Sequence, residues 1–570
     1  MKKQWFVLGV AGLIGGLVAG KRPLLGRLMD LPPVTYRVRV HRNLSITMPD
    51  GIELAADHYQ PQSKSALPAI LMRTPYGKGN MNGFLAQRFA ERGYHVLVQD
   101  VRGRFRSDGE FEPYVNEQAD GVATLDWLAA QPWCDGQVGM WGQSYVGYVQ
   151  WAAAAVNPPV LRAIVPAITQ ANLAIGRADN VMLDRTLRWL IMLDAMDTNV
   201  AGLPWWQLLP RTFDMRVQDE LVAKAAAHLP LQELDTVVFG QPFPLFRNWR
   251  AHPDIHTPYW QDIDFRAAVP TVQAPAHFIA GWYDIFLGGQ LADYAALAAS
   301  YAAGNAPQPF LTIGPWTHMD RTNMITALRE GLAWFDAHLK GKRHALARPP
   351  VRVFVMGAEV WREYASWPPP ATETAYYLEG NGRLSHELPA ADTAPDTYLY
   401  DPADPTPNVG GALLSPHAGA RDNRDLEARA DVLTFTTPPL TEALEIVGPV
   451  RAVLFVQSSQ AYTDFFARLC VVQEDGRSIN LCDGITRVMP GVGEPQADGS
   501  LRLEIDLWAT AYHFEAGQQL RLQLSSGAHP RFARNLGTDE SAWTGTEMAA
   551  AQQTIYHDAA RPSHLLLPLL

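Results

Sequence analysis

The chain has 570 residues, of which 47% are apolar and 18% charged, and its formal net charge is −11. That length exceeds a single hydrophobic core and requires roughly two to four domains, while the composition excludes a disordered or fibrous chain. The acidic balance, with no basic patch interleaved with aromatics, excludes nucleic acid as a partner, because phosphate binding needs clustered Lys and Arg. Cys134, Cys470 and Cys482 show no Cys-X-X-Cys spacing, so neither a zinc site nor a disulfide scaffold is implied. Buried free thiols are the expectation, with a Cys470–Cys482 bond as the alternative.

Residues 1–30 differ from the rest. Lys2-Lys3-Gln4 precede the apolar run Trp5–Gly20, and Lys21-Arg22 close it. The run falls just short of the ~17 residues of a membrane span. Val18-Ala19-Gly20 is a poor match to a signal-peptidase site. A single membrane anchor is the first expectation and a cleaved signal the second. The side of the membrane stays open.

From about Tyr36 strands alternate with helices. Ala69–Met72, Val96–Val98, Gln137–Trp141 and Ala163–Val165 read as buried strands, and Phe84–Arg92 and Gln118–Gln131 as helices. An Ala-rich run, Trp151–Val156, reads as the helix after Gln137–Trp141. This βαβ rhythm predicts a mostly parallel sheet covered by helices. Between 171 and 265 the rhythm stops. Asp184–Asp197 and Gln218–His228 have helical spacing, and Trp189, Trp205, Trp206, Phe213, Phe239, Phe246, Trp249 and Trp260 make the segment aromatic. It is expected to be a helical cap insertion whose aromatics mostly form its own core, with a few lining a pocket. The pattern resumes over 266–375, with strands Ala276–Ala280, Phe310–Ile313 and Val351–Met356 and helices Gly289–Ala303 and Met324–Leu339. Over 376–570 short strands dominate, among them Val450–Gln457, Ala467–Gln473, Leu501–Leu507 and Gln519–Leu524, which predicts a β-sandwich of jelly-roll type. The fold class is therefore α/β with a helical cap and a C-terminal β-sandwich.

Val138-Gly139-Met140-Trp141-Gly142-Gln143-Ser144-Tyr145-Val146-Gly147 carries the chemistry. A strand, a Gly-X-Ser turn and a helix make the context of a nucleophile elbow, although Val146 occupies the usual second glycine position. In doubly wound hydrolases the order is Ser, then Asp or Glu, then His, on loops after successive strands. Asp284 and His318 fit that order. His277 and His338 lie inside regular elements, and His252 and His256 precede Asp284 in the wrong order. The amide of Tyr145 and the segment Arg73-Thr74-Pro75-Tyr76-Gly77 are the candidate oxyanion donors. Asp100 and Arg102 are expected to pair and brace their loop.

These residues together resemble the cocaine-esterase-type (CocE/NonD) hydrolases, related to X-Pro dipeptidyl peptidases and α-amino acid ester hydrolases. The matches run from about Tyr36 to Leu570 and include Arg73-Thr74-Pro75-Tyr76, Asp100-Val101-Arg102-Gly103-Arg104, the elbow, Gly281-Trp282-Tyr283-Asp284, Gly314-Pro315-Trp316-Thr317-His318 and Thr463-Asp464-Phe465-Phe466. The late glycine after the serine is a mark of this group. The resemblance implies an α/β-hydrolase domain (31–170 and 266–375), a cap (171–265) and a jelly roll (376–570). It implies Ser144 as nucleophile, Asp284 as acid, His318 as base, and Tyr76 with the Tyr145 amide as oxyanion hole. Phe286 matches an aromatic of the acyl pocket, and Trp282 and Trp189 are further pocket candidates. No cofactor or metal is required. A small-molecule ester or amide is the expected substrate. The alternatives are an X-Pro dipeptidyl peptidase, for which Asp184, Asp194 and Asp197 are candidate amine anchors, and a non-catalytic binding protein. Self-association stays open.

Overall fold

The computed structural model describes residues 26–173, 182–199 and 215–570. The apolar run at 5–20 lies outside the described residues, as do Trp205, Trp206 and Phe213. Among the described residues no helix is long and apolar enough to cross a membrane. The chain forms two compact units. One holds the described residues up to Ala167 with Thr271–His277 and Arg321–Ala347; the other holds Ile168–Pro270, Phe278–Asp320 and Arg348–Leu570.

In the first unit the strands are β1 (Val38–Thr47), β2 (Glu53–Pro61), β3 (Leu67–Thr74), β4 (His95–Asp100), β5 (Cys134–Gln143) and β6 (Leu161–Ala167), in the spatial order β1-β2-β4-β3-β5-β6. The last four pair in parallel, and β1 and β2 add an antiparallel edge. β3 and β4 are buried along nearly their whole length, as a sheet covered on both faces requires. The helices are α1 (Asn80–Ala90), α2 (Glu117–Ala129) and α3 (Tyr145–Ala154). Helix Arg321–His338 also belongs here. Its Ala327, Gly331 and Phe335 are four apart and share one face. Trp141 of β5 donates its indole N–H to the Ala327 carbonyl at 3.0 Å. A Cβ at Gly331 would lie 2.8 Å from that indole, and one at Gly139 would lie 2.6 Å from Phe335. Small residues thus let the helix lie against the strand that leads to Ser144.

The second unit holds β7 (His277–Tyr283) from Phe278 onward, then β8 (Phe310–Thr317), β9 (Val351–Val355) and β10 (Val360–Tyr364), in that order. β8 and β9 are parallel, and β9 and β10 form an antiparallel hairpin. The insertion contributes α4 (Leu183–Asn199), α5 (Met215–Ala227) and shorter helices. Its buried interior includes Leu187, Leu190, Leu193, Val222, Phe246 and Trp260. From Thr372 onward the unit is almost wholly β. The four expected strands are longer than read, at Leu444–Ser458, Thr463–Val472, Leu501–Phe514 and Gln519–Ser525. All three cysteines are free and buried.

The neck of the insertion closes on one carboxylate. The Phe265 amide donates to the Ala171 carbonyl at 3.1 Å, and the Ala171 amide donates to Asp293 Oδ2 at 2.7 Å. Asp293 is 3% exposed. Burial pushes its carboxyl up to about 7, outweighing the Ala171 hydrogen bond and the attraction of Arg266. The folded state therefore binds a proton more tightly than the unfolded chain, so this group's contribution to stability falls as pH rises from about 4 to about 7. Asp293→Asn is expected to remove that decline, gaining on the order of a few kcal/mol at pH 8 relative to pH 5. Denaturation curves at both pH values check this; parallel behaviour of the two proteins would refute it.

Candidate active site

Ser144 stands alone between β5 and α3 with φ 57° and ψ −124°. A non-glycine residue held there costs on the order of 1–3 kcal/mol and persists only where its surroundings dictate it. The surroundings are specific. The Ser144 amide donates to the Ala167 carbonyl at 3.0 Å, and its own carbonyl accepts from Gly147 and Tyr148 at 2.8 and 2.9 Å, which starts the helix. Gln150, fully buried, donates its amide to the Val146 and Val165 carbonyls at 3.0 and 3.1 Å and accepts from the Val165 amide at 2.9 Å. A Cβ at Gly142 would fall 2.1 Å from Val146 Cγ1. The first glycine of the motif is therefore what leaves room for valine at the position of the second.

Tyr145 opens α3, and its side chain is buried. Its ring meets Tyr76 edge-on, with centroids 6.5 Å apart at 75°. The Tyr76 loop is tied at both ends: the Tyr76 amide donates to Thr74 Oγ1 at 3.1 Å, and Asn82 donates to Thr74 Oγ1 at 3.2 Å and to the Gly77 carbonyl at 2.9 Å. The structure corrects the expected Asp100–Arg102 pair. Asp100 is buried and accepts from the Lys78 amide and ammonium, both at 2.7 Å, while Arg102 pairs with Asp120 at 2.7 Å and Asp50 at 2.6 Å. The chain turns immediately after Asp100, so the two side chains leave toward different partners. Lys78 escaped the sequence reading, although it follows the Tyr76-Gly77 motif directly.

In the second unit the two remaining candidate residues meet. Asp284 lies just past β7 and His318 just past β8. Asp284 Oδ2 is 2.7 Å from His318 Nδ1, and its Oδ1 accepts the Phe286 amide at 2.8 Å. Asp284 is fully buried and the His318 side chain 8% exposed. The loops run against each other because Gly281 has no side chain; a Cβ there would lie 2.5 Å from the Trp316 carbonyl oxygen. This contact orients the imidazole with Nδ1 toward the acid and Nε2 on its far edge. Phe286 packs edge-on against the imidazole at 5.4 Å, with the Arg185 guanidinium 5.3 Å over its ring. Trp282 donates its indole N–H to the Phe354 carbonyl at 2.7 Å and neighbours Trp367. Trp189 stacks on Trp249 at 5.8 Å.

Three of the four competing histidines pack on aromatic neighbours. His277 and His338 both pack on Trp334, and burial brings His338 down to about 4. His252 stacks on Tyr259. Among the described residues no group of three or more His, Cys, Asp or Glu is placed to hold a metal.

A serine at a strand–helix elbow on a mostly parallel sheet is a feature of the α/β-hydrolases, and the carboxylate–imidazole pair of the second unit follows it in the chain order of that class. Comparison with known proteins narrows this. The family model for X-Pro dipeptidyl-peptidase (S15 family) matches residues 50–320, and that for the X-Pro dipeptidyl-peptidase C-terminal non-catalytic domain matches 344–566. Cocaine esterase of a Rhodococcus species is 35% identical over 93% of this chain and 98% of its own. The chain belongs to this family of hydrolases, which unites cocaine esterase with the X-Pro dipeptidyl peptidases. The crystal structure of an aminopeptidase from a marine sediment Thaumarchaeota archaeon superposes with TM-score 0.78 at 22% identity, covering 95% of this chain and 97% of that one. An α-amino acid ester hydrolase gives the same score and identity, covering 95% and 98%. Both share the whole fold.

Gly142→Ala is expected to cost about 1–3 kcal/mol by overpacking and to slow the reaction of Ser144 with a fluorophosphonate. Val146→Ala, added to it, should recover part of both losses. A G142A protein with wild-type melting temperature and labelling rate would contradict this account of the elbow.

Proposed function

We propose that the protein hydrolyses carboxylic esters of small molecules through an acyl-enzyme formed on Ser144. The observation that carries the reading is the backbone of Ser144, held in a costly conformation at the head of a helix. The His318–Asp284 pair supports it, as does the family. The reading requires Ser144 Oγ and His318 Nε2 to come within hydrogen-bonding reach.

In this scheme Oγ adds to the ester carbonyl and its proton passes to His318 Nε2. Asp284 holds the imidazole tautomer and stabilises the imidazolium. The oxyanion accepts hydrogen bonds from the Tyr145 amide and the Tyr76 phenol. Collapse breaks the bond to the leaving alkoxide, which takes the proton from His318. Water, deprotonated by the same imidazole, then releases the acid and restores Ser144. Phe286, packed on the imidazole, forms part of the acyl pocket.

The second reading, cleavage after X-Pro, comes from the matched family model. It needs carboxylates open to a substrate amine. Asp184, one of the three considered, is 3% exposed and bonded to Arg188 at 2.7 Å, so it is closed to such an amine; the 35% identity to cocaine esterase over 93% of the chain ranks ester cleavage first.

Ser144→Ala is expected to lower turnover of p-nitrophenyl acetate by about 10⁴-fold or more. Fluorophosphonate should label the wild type on the peptide containing Ser144. A folded S144A protein with undiminished turnover would sink the assignment. Tyr76→Phe should lower kcat by about 10²–10³-fold with KM nearly unchanged; an unaltered kcat removes Tyr76 from the oxyanion hole. Ala-Pro-p-nitroanilide, assayed beside simple esters, separates the two substrate classes.

A further inference from the structure

A charged residue lies buried behind the elbow, and the scheme above does not use it. Glu117 is the first residue of α2 and is 4% exposed. Its Oε1 accepts the hydroxyl of Tyr145 at 2.8 Å, and its Oε2 pairs with the Arg73 guanidinium at 2.5 Å. Arg73 is fully buried at the end of β3, three residues before Tyr76. It also donates to Gln99 Oε1 at 2.8 Å and to the Glu117 carbonyl at 2.9 Å. The Tyr145 oxygen in turn accepts the Tyr114 amide at 2.9 Å, and the Tyr114 ring stacks on the Tyr145 ring at 5.1 Å.

Isolated, such a carboxylate would be expensive to bury. Burial does push the Glu117 carboxyl up, and Arg73 and the Tyr145 hydroxyl oppose that. The Tyr145 phenol is pushed well above its ordinary range by burial and by Glu117, so it keeps its proton and donates. A buried ion pair of this kind is weak evidence for stability, since apolar residues can replace it without loss. Its value lies in direction. A carboxylate gripping a phenol on one side and a fork on the other admits one arrangement of both.

Both candidate oxyanion donors hang on that arrangement. Tyr145 supplies one through its amide, and the direction of that N–H depends on how the residue is seated at the start of α3. Its ring packs against Tyr76, which carries the other. Arg73 holds the strand end from which the Tyr76 loop departs.

We infer that Glu117 is a positioning residue for ester hydrolysis, setting the Tyr145 amide and the Tyr76 phenol together through the Tyr145 hydroxyl and Arg73. This rests on the esterase reading. Glu117 touches neither substrate nor reacting atoms, so its effect is on placement, and a misplacement of an ångström is worth about a hundredfold in rate.

The test is kinetic. Glu117→Gln, Tyr145→Phe and the double variant are assayed with p-nitrophenyl acetate, rates being divided by the functional sites that a fluorophosphonate titration counts. Each single variant is expected to lower kcat per site about tenfold to a hundredfold, with KM within roughly threefold of wild type. The double variant should lose no more than the worse single, because both break one link. Tyr145→Phe deletes one oxygen and keeps the ring, so it decides the matter if Glu117→Gln does not fold. Wild-type kcat per site in the variants, with only the melting temperature lowered, would overturn the inference, and so would losses that multiply in the double variant. A wild-type protein that neither turns over esters nor labels at Ser144 would instead overturn the esterase reading, and the inference with it.

Discussion

One backbone conformation governs the first unit. Ser144 cannot adopt φ 57° unless β5 stops, the chain bends, and α3 starts within a single residue. Each neighbour reflects that demand. Gly142 makes room for Val146, Ala167 takes the Ser144 amide, and Gln150 stitches the first helical turn to β6. Beneath β5, Gly139 and Trp141 accept the helix carrying Ala327, Gly331 and Phe335 without a gap. The strain is local, while the contacts that hold it come from several distant segments.

Around this elbow the interior holds several ion pairs. Arg73 with Glu117, Lys78 with Asp100, and Arg102 with Asp120 all have at least one partner almost wholly out of water. The second unit repeats the device, where Asp483 lies between Arg468 and Arg531 at 2.9 and 2.5 Å. Pairs of this sort add little net stability but penalise alternative arrangements heavily, because a displaced partner leaves an uncompensated charge. The pairs in the first unit surround the loops that end in Tyr76 and Ser144. Their role there is to hold side-chain directions.

The central strands were legible because they are continuous apolar runs, and they were read short at their ends. β1 and β2 were not legible. β1 is a half-exposed edge, and β2 buries Asp57 and His58, whose polarity hides a buried strand. α3 was placed six residues late, because Tyr145-Val146-Gly147-Tyr148-Val149 is a poor helix former that packing overrides. Chain order and strand-end placement proposed Asp284 and His318 as a pair, and the two side chains lie in hydrogen-bond contact at 2.7 Å. The pairing of Asp100 with Lys78, and of Arg102 with Asp120, was not readable, since neighbouring opposite charges invite a local pairing that the turn after Asp100 forbids.

The sequence by itself determined the α/β rhythm, the insertion, the β-rich C-terminal half and the serine at a strand–helix junction. These rest on periodicity and on residue types that force a bend, both of which are local. Only the tertiary structure decided which charge answers which, that Glu117 sits behind Tyr145, and that Phe286 rather than Trp282 lies on the imidazole. Those choices follow from proximity and loss of water between segments far apart in the chain, and no pattern along a single strand or helix records them.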